Sequence, residues 1–314
     1  MRLACEPLRS TSLVVVLACA VLAGACGDGQ QGRKPSSKNE PAPTQAEPRG
    51  VQVVAAGDIA CAPGKPATRT SCQQEATAEL AESLDPDVVL TLGDTQYPES
   101  SMSQLMGSYD KSWGGLLDKT RPTIGNHEYR TPGAKGYYAY FKDRQPGPPG
   151  NYRFNVGGWK VHVLNSNCKQ VSCADQAAWL DRGMTARPVT CAIVTMHHPR
   201  YSSGDEHGND PSVQQLWAVA AKHGADIMLS GHDHDYERFT RMDAQGRPSP
   251  DGMTSFVVGT GGKDLYGLGS RQPGSRFFRA EHGVLALDLR KGSFGWKFHA
   301  VDGSVLDEGV RRCV

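Results

Sequence analysis

Short apolar runs rich in valine, isoleucine and leucine recur along the chain, bounded by glycine, aspartate or proline. Such runs are typical of β-strands. They predict strands over residues 51–56, 87–92, 121–124, 151–156, 159–165, 190–196, 225–230, 254–259, 283–289 and 293–301. Three other segments, 71–84, 173–184 and 211–223, carry apolar residues at helical spacing and predict helices.

The order of these elements indicates the fold class. Strands alternate with helices as far as residue 230, and strands joined by short connections follow. This order favours an α/β (α+β) body with sheet packed on sheet inside and helices outside. In such bodies, ligands gather at the carboxyl ends of the strands. No second domain is indicated, so residues 51–314 are expected to form one catalytic domain.

Composition adds little about function. With 314 residues and 38% hydrophobic content, the chain can form one large core or two small ones. A formal net charge of +1 gives no reason to expect nucleic acid as a partner. The 36 glycines and 20 prolines follow no repeat and are interpreted as loops. Function must therefore be inferred from motifs.

The first 26 residues are typical of an export signal. Arg2 and Arg9 precede an apolar stretch, residues 13–22, that is too short to span a bilayer by itself. The small residues 23–25 then precede Cys26. This arrangement resembles a bacterial lipoprotein signal, although Leu22 lies one place earlier than the usual pattern. It predicts a lipid anchor at Cys26 on the outer face of the bacterial cell membrane.

The alternative is a soluble secreted protein that is cut near Ala25. In either case residues 27–50 are polar and proline-rich, which predicts a flexible tether between the signal peptide and the domain. Membrane contact is expected only through the anchor, and no protein partner is indicated.

Six cysteines remain once those of the signal segment are set aside: Cys61, Cys72, Cys168, Cys173, Cys191 and Cys313. An even number in an exported domain favours disulfides, and six cysteines allow 15 connectivities. Pairing nearest neighbours predicts 61 with 72, 168 with 173, and 191 with 313. A zinc site is less favoured because no two of them form a CxxC pair.

Five of the apolar runs end in a residue that can bind a metal. The runs lead to Asp58, Asp94, Asn126 and His197, and the last leads to both His232 and His234. Carboxylates, an amide and imidazoles just past strand ends could hold two metal ions in one pocket. Several of these motifs are weak individually, and the one with His232 and His234 is stronger, but core packing does not explain five in one order.

The ordered set GD, GDxxY, GNHE, VxxH and GHxHxYER resembles the calcineurin-like metallophosphoesterases and, within them, the purple acid phosphatases, over residues 51–300. The resemblance implies a four-layer αββα sandwich of two mixed β-sheets flanked by helices. It also implies a set of metal ligands. Asp58, Tyr97 and His234 would bind the first metal, Asn126, His197 and His232 the second, and Asp94 both.

Tyr97 points to the subfamily. The broader superfamily usually has a histidine where this chain has Ala60, and the tyrosine supplies a ligand in its place. Two carboxylates and a phenolate carry a charge of about −3, which suits a ferric ion paired with a divalent one. The resemblance therefore implies Fe(III) at one site and Fe(II), Zn(II) or Mn(II) at the other. The simpler alternative is that Tyr97 is a partly buried loop aromatic.

The resemblance also implies the reaction. Two metals can bind a small phosphate ester and activate a water, so the expected activity is hydrolysis of phosphomonoesters by in-line attack of a metal-bound hydroxide. His127 and His207 would contact the phosphate or donate a proton to the leaving group. Glu128 is expected to orient His127 and Asp233 to face away, while His198 is expected to be structural rather than a ligand.

The sequence leaves three other functions open. They are a phosphodiesterase on the same scaffold, peroxidase-like chemistry at an iron centre, and a non-catalytic surface-binding lipoprotein. The complete ligand set argues against the last, because a degenerate site usually loses some of its ligands.

Overall fold

The computed structural model describes residues 49–185 and 191–314. The predicted signal peptide, the anchor at Cys26 and all but the last two residues of the predicted tether lie outside the described residues. No helix in the described part of the chain is both long enough and apolar enough to cross a membrane.

The first sheet has six strands in the order β13-β12-β11-β1-β2-β3. The strands are β1 (Val51–Ala56), β2 (Val88–Leu92), β3 (Thr120–Thr123), β11 (Gly283–Arg290), β12 (Ser293–Ala300) and β13 (Val305–Arg312). Strands β1, β2 and β3 are parallel, whereas β11, β12 and β13 pair antiparallel. The carboxyl ends of β1, β2 and β3 therefore meet at one edge of the sheet.

The second sheet has seven strands in the order β10-β8-β9-β7-β6-β5-β4. They are β4 (Tyr152–Val156), β5 (Trp159–Val163), β6 (Ala192–Thr195), β7 (Ile227–Ser230), β8 (Tyr236–Met242), β9 (Met253–Val258) and β10 (Ser275–Arg279). Strands β5, β6, β7 and β9 form its parallel centre. Both sheets are thus mixed, as the resemblance implies.

Alternation along β1 shows how the layers are built. Val53 and Ala55 face the second sheet and join the central core with Ile193 and Leu229, whereas Val54 and Ala56 face the opposite way, toward helices. Successive side chains of a strand point to opposite faces, so one buried strand serves two cores. The chain therefore forms the predicted sandwich of two sheets with helices on the outside.

Within residues 49–185 and 191–314, six α-helices flank the sheets: α1 (Gln74–Ser83), α2 (Met102–Gly107), α3 (Tyr109–Ser112), α4 (Lys135–Phe141), α5 (Cys173–Thr185) and α6 (Gln214–Lys222). Helices α1 to α4 contribute to the core outside the first sheet, and α5 and α6 to the core outside the second. Short 3₁₀ helices cover Trp113–Lys119, Glu128–Arg130, Pro132–Ala134, Lys142–Arg144 and Pro211–Val213.

The ten predicted strands and three predicted helices are present within a few residues of their bounds. The sequence patterns missed β8, β10 and β13, and also α2, α3 and α4. Strands β10 and β13 are edge strands in which charged residues interrupt the apolar pattern. The missed helices have at most seven residues each, too few for a helical period to be visible.

The predicted disulfides are confirmed as 61 with 72, 168 with 173, and 191 with 313. The first two close short loops, and the third fixes the chain end beside β6. Three disulfides are consistent with an exported protein, because such bonds persist in oxidising compartments.

Candidate metal centre

The predicted ligands come together where the parallel strands of both sheets end. Asp58 and Asp94 follow β1 and β2, and Asn126 follows β3. His197 follows β6, and His232 and His234 follow β7. Each sheet thus contributes one side of the site, and the site exists only because the sheets pack with these ends adjacent.

Four of the side chains form a first group of donor atoms. The hydroxyl of Tyr97 lies 2.7 Å from Asp58 Oδ1, 3.1 Å from Asp94 Oδ2 and 3.0 Å from His234 Nε2. His234 Nε2 is also 3.3 Å from Asp58 Oδ1. These four residues are those that the resemblance assigns to the first metal.

A second group surrounds His197. Its Nε2 lies 3.3 Å from Asp94 Oδ2, 3.0 Å from Asn126 Oδ1 and 3.2 Å from His232 Nδ1. These are the residues assigned to the second metal. Asp94 Oδ2 belongs to both groups, which is the position required of a ligand shared by two ions.

The donor set fits metal ions. Ligands about 2.1 Å from one ion lie about 3 Å from each other, which is the spacing found in both groups. Donor atoms of Asp58, Asp94 and His197 lie within 4.8 Å of one another, as do those of His197, His198 and His232. Two similar clusters contain cysteines 61 with 72 and 191 with 313, but those sulfurs are bonded to each other and are not free thiolates.

The close approach of these charged groups shifts their pKa values. Burial alone would raise the pKa of Asp94, but the charges of His197 and His127 hold that pKa well below its usual value. Burial would lower the pKa of His197, yet Asp94 raises it to about 10. Burial and the two carboxylates raise the pKa of Tyr97 well above its usual value. Burial and three neighbouring histidines lower the pKa of His232.

The loops carrying the ligands are held in unusual backbone conformations. Asp58, Asp94 and His232 all have positive φ, at 58°, 47° and 74°. Few non-glycine residues adopt this region, and such strain clusters at functional sites. At Gly93, with φ of 90°, a Cβ atom would lie 2.5 Å from His197 Nδ1. This glycine lets loops from the two sheets approach closely.

Backbone carbonyls orient the ligating imidazoles. His197 Nδ1–H donates to Leu92 O at 2.8 Å, and His234 Nδ1–H donates to Asp264 O at 2.5 Å. In each ring the Nδ1 proton is thereby fixed and Nε2 faces the other ligands. Residue-type patterns cannot reveal these contacts, since a carbonyl is present at every residue.

Glu128 has a different role from the one the sequence predicts. Its carboxylate accepts hydrogen bonds from the backbone N–H groups of Asp94, Thr95 and Gly125, and so joins two of the ligand loops. Burial and the nearby Asp94 charge raise its pKa to about 7. The ring of His127 is oriented instead by Pro98, whose carbonyl accepts from His127 Nδ1–H at 2.7 Å.

The two predicted catalytic histidines flank the ligands. His127 Nε2 is 3.9 Å from Asp94 Oδ2, and burial lowers the pKa of His127. The exposed ring of His207 stacks on His232 with ring centres 3.9 Å apart. Both rings therefore lie beside the donor atoms without belonging to either group.

Two neighbouring residues complete the surroundings. His198 Nδ1 lies 2.8 Å from Ser166 Oγ, and its ring is 4.5 Å from that of His232, so its nitrogen also lies near the second group. Asp233, which lies between His232 and His234 in the chain, contacts a neighbouring loop. It accepts the backbone N–H groups of His207 and Gly208 and so holds the His207 loop.

Comparisons with known proteins agree with the geometry. The calcineurin-like phosphoesterase family profile matches residues 51–236. The chain is 29% identical to a probable purple acid phosphatase 20 of Arabidopsis thaliana over 76% of this chain and 61% of that protein. It is 31% identical to purple acid phosphatase 18 of the same plant over 46% of this chain and 37% of that protein. The chain thus spans less than two thirds of either relative.

A solved structure has the same fold. The purple acid phosphatase PPD1 from yellow lupin (Lupinus luteus) seeds superposes with a TM-score of 0.66 at 17% identity, covering 83% of this chain and 53% of that one. At this identity the likeness concerns the fold alone. Together with the family profile, which spans more than half of the chain, these findings show that the protein belongs to the calcineurin-like phosphoesterase family, with purple acid phosphatases among its relatives.

Proposed function

We propose that this protein is an exported, metal-dependent phosphatase that hydrolyses phosphomonoesters. The observation that carries the proposal is the position of Asp94 Oδ2, which lies within 3.3 Å of both Tyr97 in the first donor group and His197 in the second. A carboxylate shared by two donor groups is the arrangement of a two-metal hydrolase.

In this proposal each donor group holds one ion. Asp58, Tyr97 and His234 hold the first, Asn126, His197 and His232 hold the second, and Asp94 holds both. When bound, such a pair supplies positive charge for the phosphate oxygens and lowers the pKa of water. The family relationship supports two metals, and the donors themselves support iron at one of them.

The support for iron comes from one exchange of residues. Ala60, which stands where the superfamily usually has a histidine, is buried and offers no donor. The Tyr97 hydroxyl belongs to the first donor group and takes the place of that histidine. A phenolate adds a third negative charge to those of Asp58 and Asp94, and a hard oxygen anion matches a ferric ion better than a second divalent one.

The chain's own residues perform the remaining steps. His127 is fixed by Pro98 so that its Nε2 faces Asp94, where it can hydrogen-bond the phosphate or its leaving oxygen. His207 lies over His232 at the exposed side of the site, within reach of a leaving alcohol. A proton from either ring would stabilise the departing oxygen.

The location of the protein belongs to the same proposal. Disulfides at three places favour an oxidising compartment. We propose that residues 1–26 direct export, that Cys26 carries a lipid, and that residues 27–50 separate the domain from the membrane. Globomycin treatment, which blocks lipoprotein signal cleavage, would leave the uncut precursor if this is correct and would have no effect on a protein cut near Ala25.

The catalytic proposal is tested on the purified domain. Metal analysis should find iron, the visible spectrum should show a broad charge-transfer band, and 4-nitrophenyl phosphate should be hydrolysed. Tyr97→Phe should abolish the band. Tyr266→Phe is the matched control, because Tyr266 stacks on His234 with ring centres 3.8 Å apart but lies outside both donor groups, so its loss should leave the band.

Two results would count against parts of the proposal. A colourless, active enzyme unaffected by Tyr97→Phe would exclude the ferric site but not the phosphoesterase. A higher kcat/KM for bis(4-nitrophenyl) phosphate than for the monoester would instead identify a phosphodiesterase. Absence of hydrolysis with both substrates in the metal-loaded protein would reject the catalytic proposal.

A further inference from the structure

A cavity of about 550 Å³ opens beside the metal centre. Tyr97, a member of the first donor group, and His127, which flanks the donor atoms, both line it, so the cavity directly adjoins the centre. Small-molecule sites are commonly clefts of this volume that combine apolar walls with a few polar groups. The cavity is large enough for an organic body of several carbon atoms with its substituents.

The cavity carries an excess of positive charge. Lys65, Arg130 and Lys263 line it, and Asp264 is the one carboxylate among its lining residues. Lys263 pairs with Asp264 and lies 5.3 Å from the centre of the Tyr97 ring. Lys65 and Arg130 are exposed and contact no carboxylate among the residues that the structure describes. Two cations are therefore available to a ligand.

Both of these side chains are attached to firmly held backbone. Lys65 lies in the loop closed by the 61–72 disulfide, which itself lines the cavity. Arg130 ends the 3₁₀ helix Glu128–Arg130, which begins next to His127 and is anchored through the buried Glu128 carboxylate. A ligand that binds them thus meets charges whose attachment points are fixed relative to the metal centre.

We infer that this cavity binds the leaving group of the substrate, and that the preferred substrate is a phosphomonoester whose organic body carries a second phosphate. The inference rests on the proposed function. One phosphate would lie at the metal centre, and the second would lie between Lys65 and Arg130, since guanidinium and ammonium groups are the usual partners of phosphate.

The chemistry is ordinary hydrolysis. The oxygen of water forms a bond to phosphorus, the bond from phosphorus to the ester oxygen breaks, and that oxygen leaves with a proton. The products are inorganic phosphate and an alcohol that still bears the second phosphate. That product keeps its contacts with Lys65 and Arg130. It should therefore be a stronger competitive inhibitor than the same alcohol without a phosphate.

The test compares fructose 1,6-bisphosphate with fructose 6-phosphate, with 4-nitrophenyl phosphate as a reference. Wild-type protein should show a kcat/KM at least about tenfold higher for the bisphosphate, since one good contact between charged groups is commonly worth a factor of ten. The double variant Lys65→Ala/Arg130→Ala should lose that preference, mainly through KM, while its activity on 4-nitrophenyl phosphate stays within about twofold.

Two further variants isolate the position of the charge. Lys111→Ala/Lys135→Ala removes two exposed cations outside the cavity and should keep the preference. Lys65→Arg/Arg130→Lys retains both charges and should keep most of the preference for the bisphosphate. All four side chains are exposed, so folding should be unaffected, and equal unfolding temperatures would verify this.

The outcomes separate the two proposals. If none of the three esters is hydrolysed, the proposed function fails. If 4-nitrophenyl phosphate is hydrolysed but the two fructose phosphates have equal kcat/KM, or if the double variant keeps the preference, the assignment of the cavity is overturned. A steeper rise of KM with salt for the bisphosphate than for the monophosphate would support the assignment independently of any variant.

Discussion

Asp94 and Asp307 are both buried carboxylates surrounded by aromatic and basic side chains, but their partners differ in kind. Asp307, on β13, accepts hydrogen bonds from the Tyr236 hydroxyl, from two nitrogens of Arg238 and from Trp296 Nε1, at 2.7–3.0 Å. Every partner is a donor, and Arg238 balances the charge. This carboxylate links β13 of one sheet to β8 of the other.

Asp94 has partners of a different kind. Its Oδ2 faces Tyr97 and His197, and a second carboxylate, that of Asp58, lies on the other side of the Tyr97 hydroxyl. Among the residues that the structure describes, no arginine or lysine pairs with Asp94 or Asp58; their ion-pair partners are histidines. A buried carboxylate enclosed by an arginine and other donors holds a fold together, whereas one whose partners are themselves potential metal ligands is suited to bind metal ions.

The largest effect is expected from Asp94→Asn. Removing the charge shared by both donor groups should lower kcat/KM for 4-nitrophenyl phosphate by about a thousandfold or more, because several kcal/mol of charge stabilisation depend on the metals. Bound metal, measured by mass spectrometry, should fall with it. Retention of two metals and of wild-type activity would show that Asp94 is not a shared ligand.

Gly93→Ala should have the next largest effect. Its Cβ would lie 2.5 Å from His197 Nδ1, so the loop must shift, and a misplacement of about 1 Å can cost about a hundredfold in rate. Gly292→Ala is the matched control, because Gly292 also has positive φ, 76°, but has no atom within 4 Å of the added methyl. If both variants keep wild-type kcat/KM, the close approach at Gly93 is not needed for activity.

Asp307→Asn should lower the stability of the protein without affecting catalysis. Loss of the charge leaves the partly buried Arg238 without its ionised partner, which should lower the free energy of unfolding by about 2–4 kcal/mol in urea titrations. kcat/KM should change by less than about twofold. A large loss of activity at unchanged stability would erase the distinction drawn between the two carboxylates.

Asp226 offers a smaller, pH-dependent effect. It accepts the backbone N–H groups of Ala192 and Val314, and burial raises its pKa to about 6. A raised pKa means that the protonated form is favoured by folding, so its contribution is present below about pH 4 and is lost as the pH rises through 6. Between pH 4 and 6.5 the free energy of unfolding should fall by about 1–2 kcal/mol relative to that of Asp226→Asn. Parallel stability curves for the two proteins would contradict this.

The parts of the fold that the sequence predicted have a clear physical basis. Strands such as β1 and β7 are largely buried on both faces, so they consist mostly of apolar residues, which makes them visible in the sequence. Edge strands such as β13 carry charged residues on both faces, and α3 has only four residues. Their existence depends on the neighbours they pair with or cover.

The residues of the site also fall into those that the sequence could reveal and those that it could not. The ligand candidates were visible because an aspartate, asparagine or histidine at the end of a buried strand has no packing role, and because five such ends occur in one order. The contribution of Glu128, the carbonyls of Leu92 and Asp264, and the cavity beside Lys65 and Arg130 were not visible. They join residues far apart in the chain.

The sequence by itself determined which side chains could hold metal ions, which cysteines could pair, and that two layers of strands would form. These properties follow from residue type, spacing and the apolar period, all of which are local. Only the tertiary structure decided that the ends of two separate sheets meet, so that Asp94 is shared between two donor groups while Asp307 is enclosed by donors. Which partners surround a buried charge depends on long-range packing, and those partners distinguish a carboxylate suited to binding metals from one that holds the sheets together.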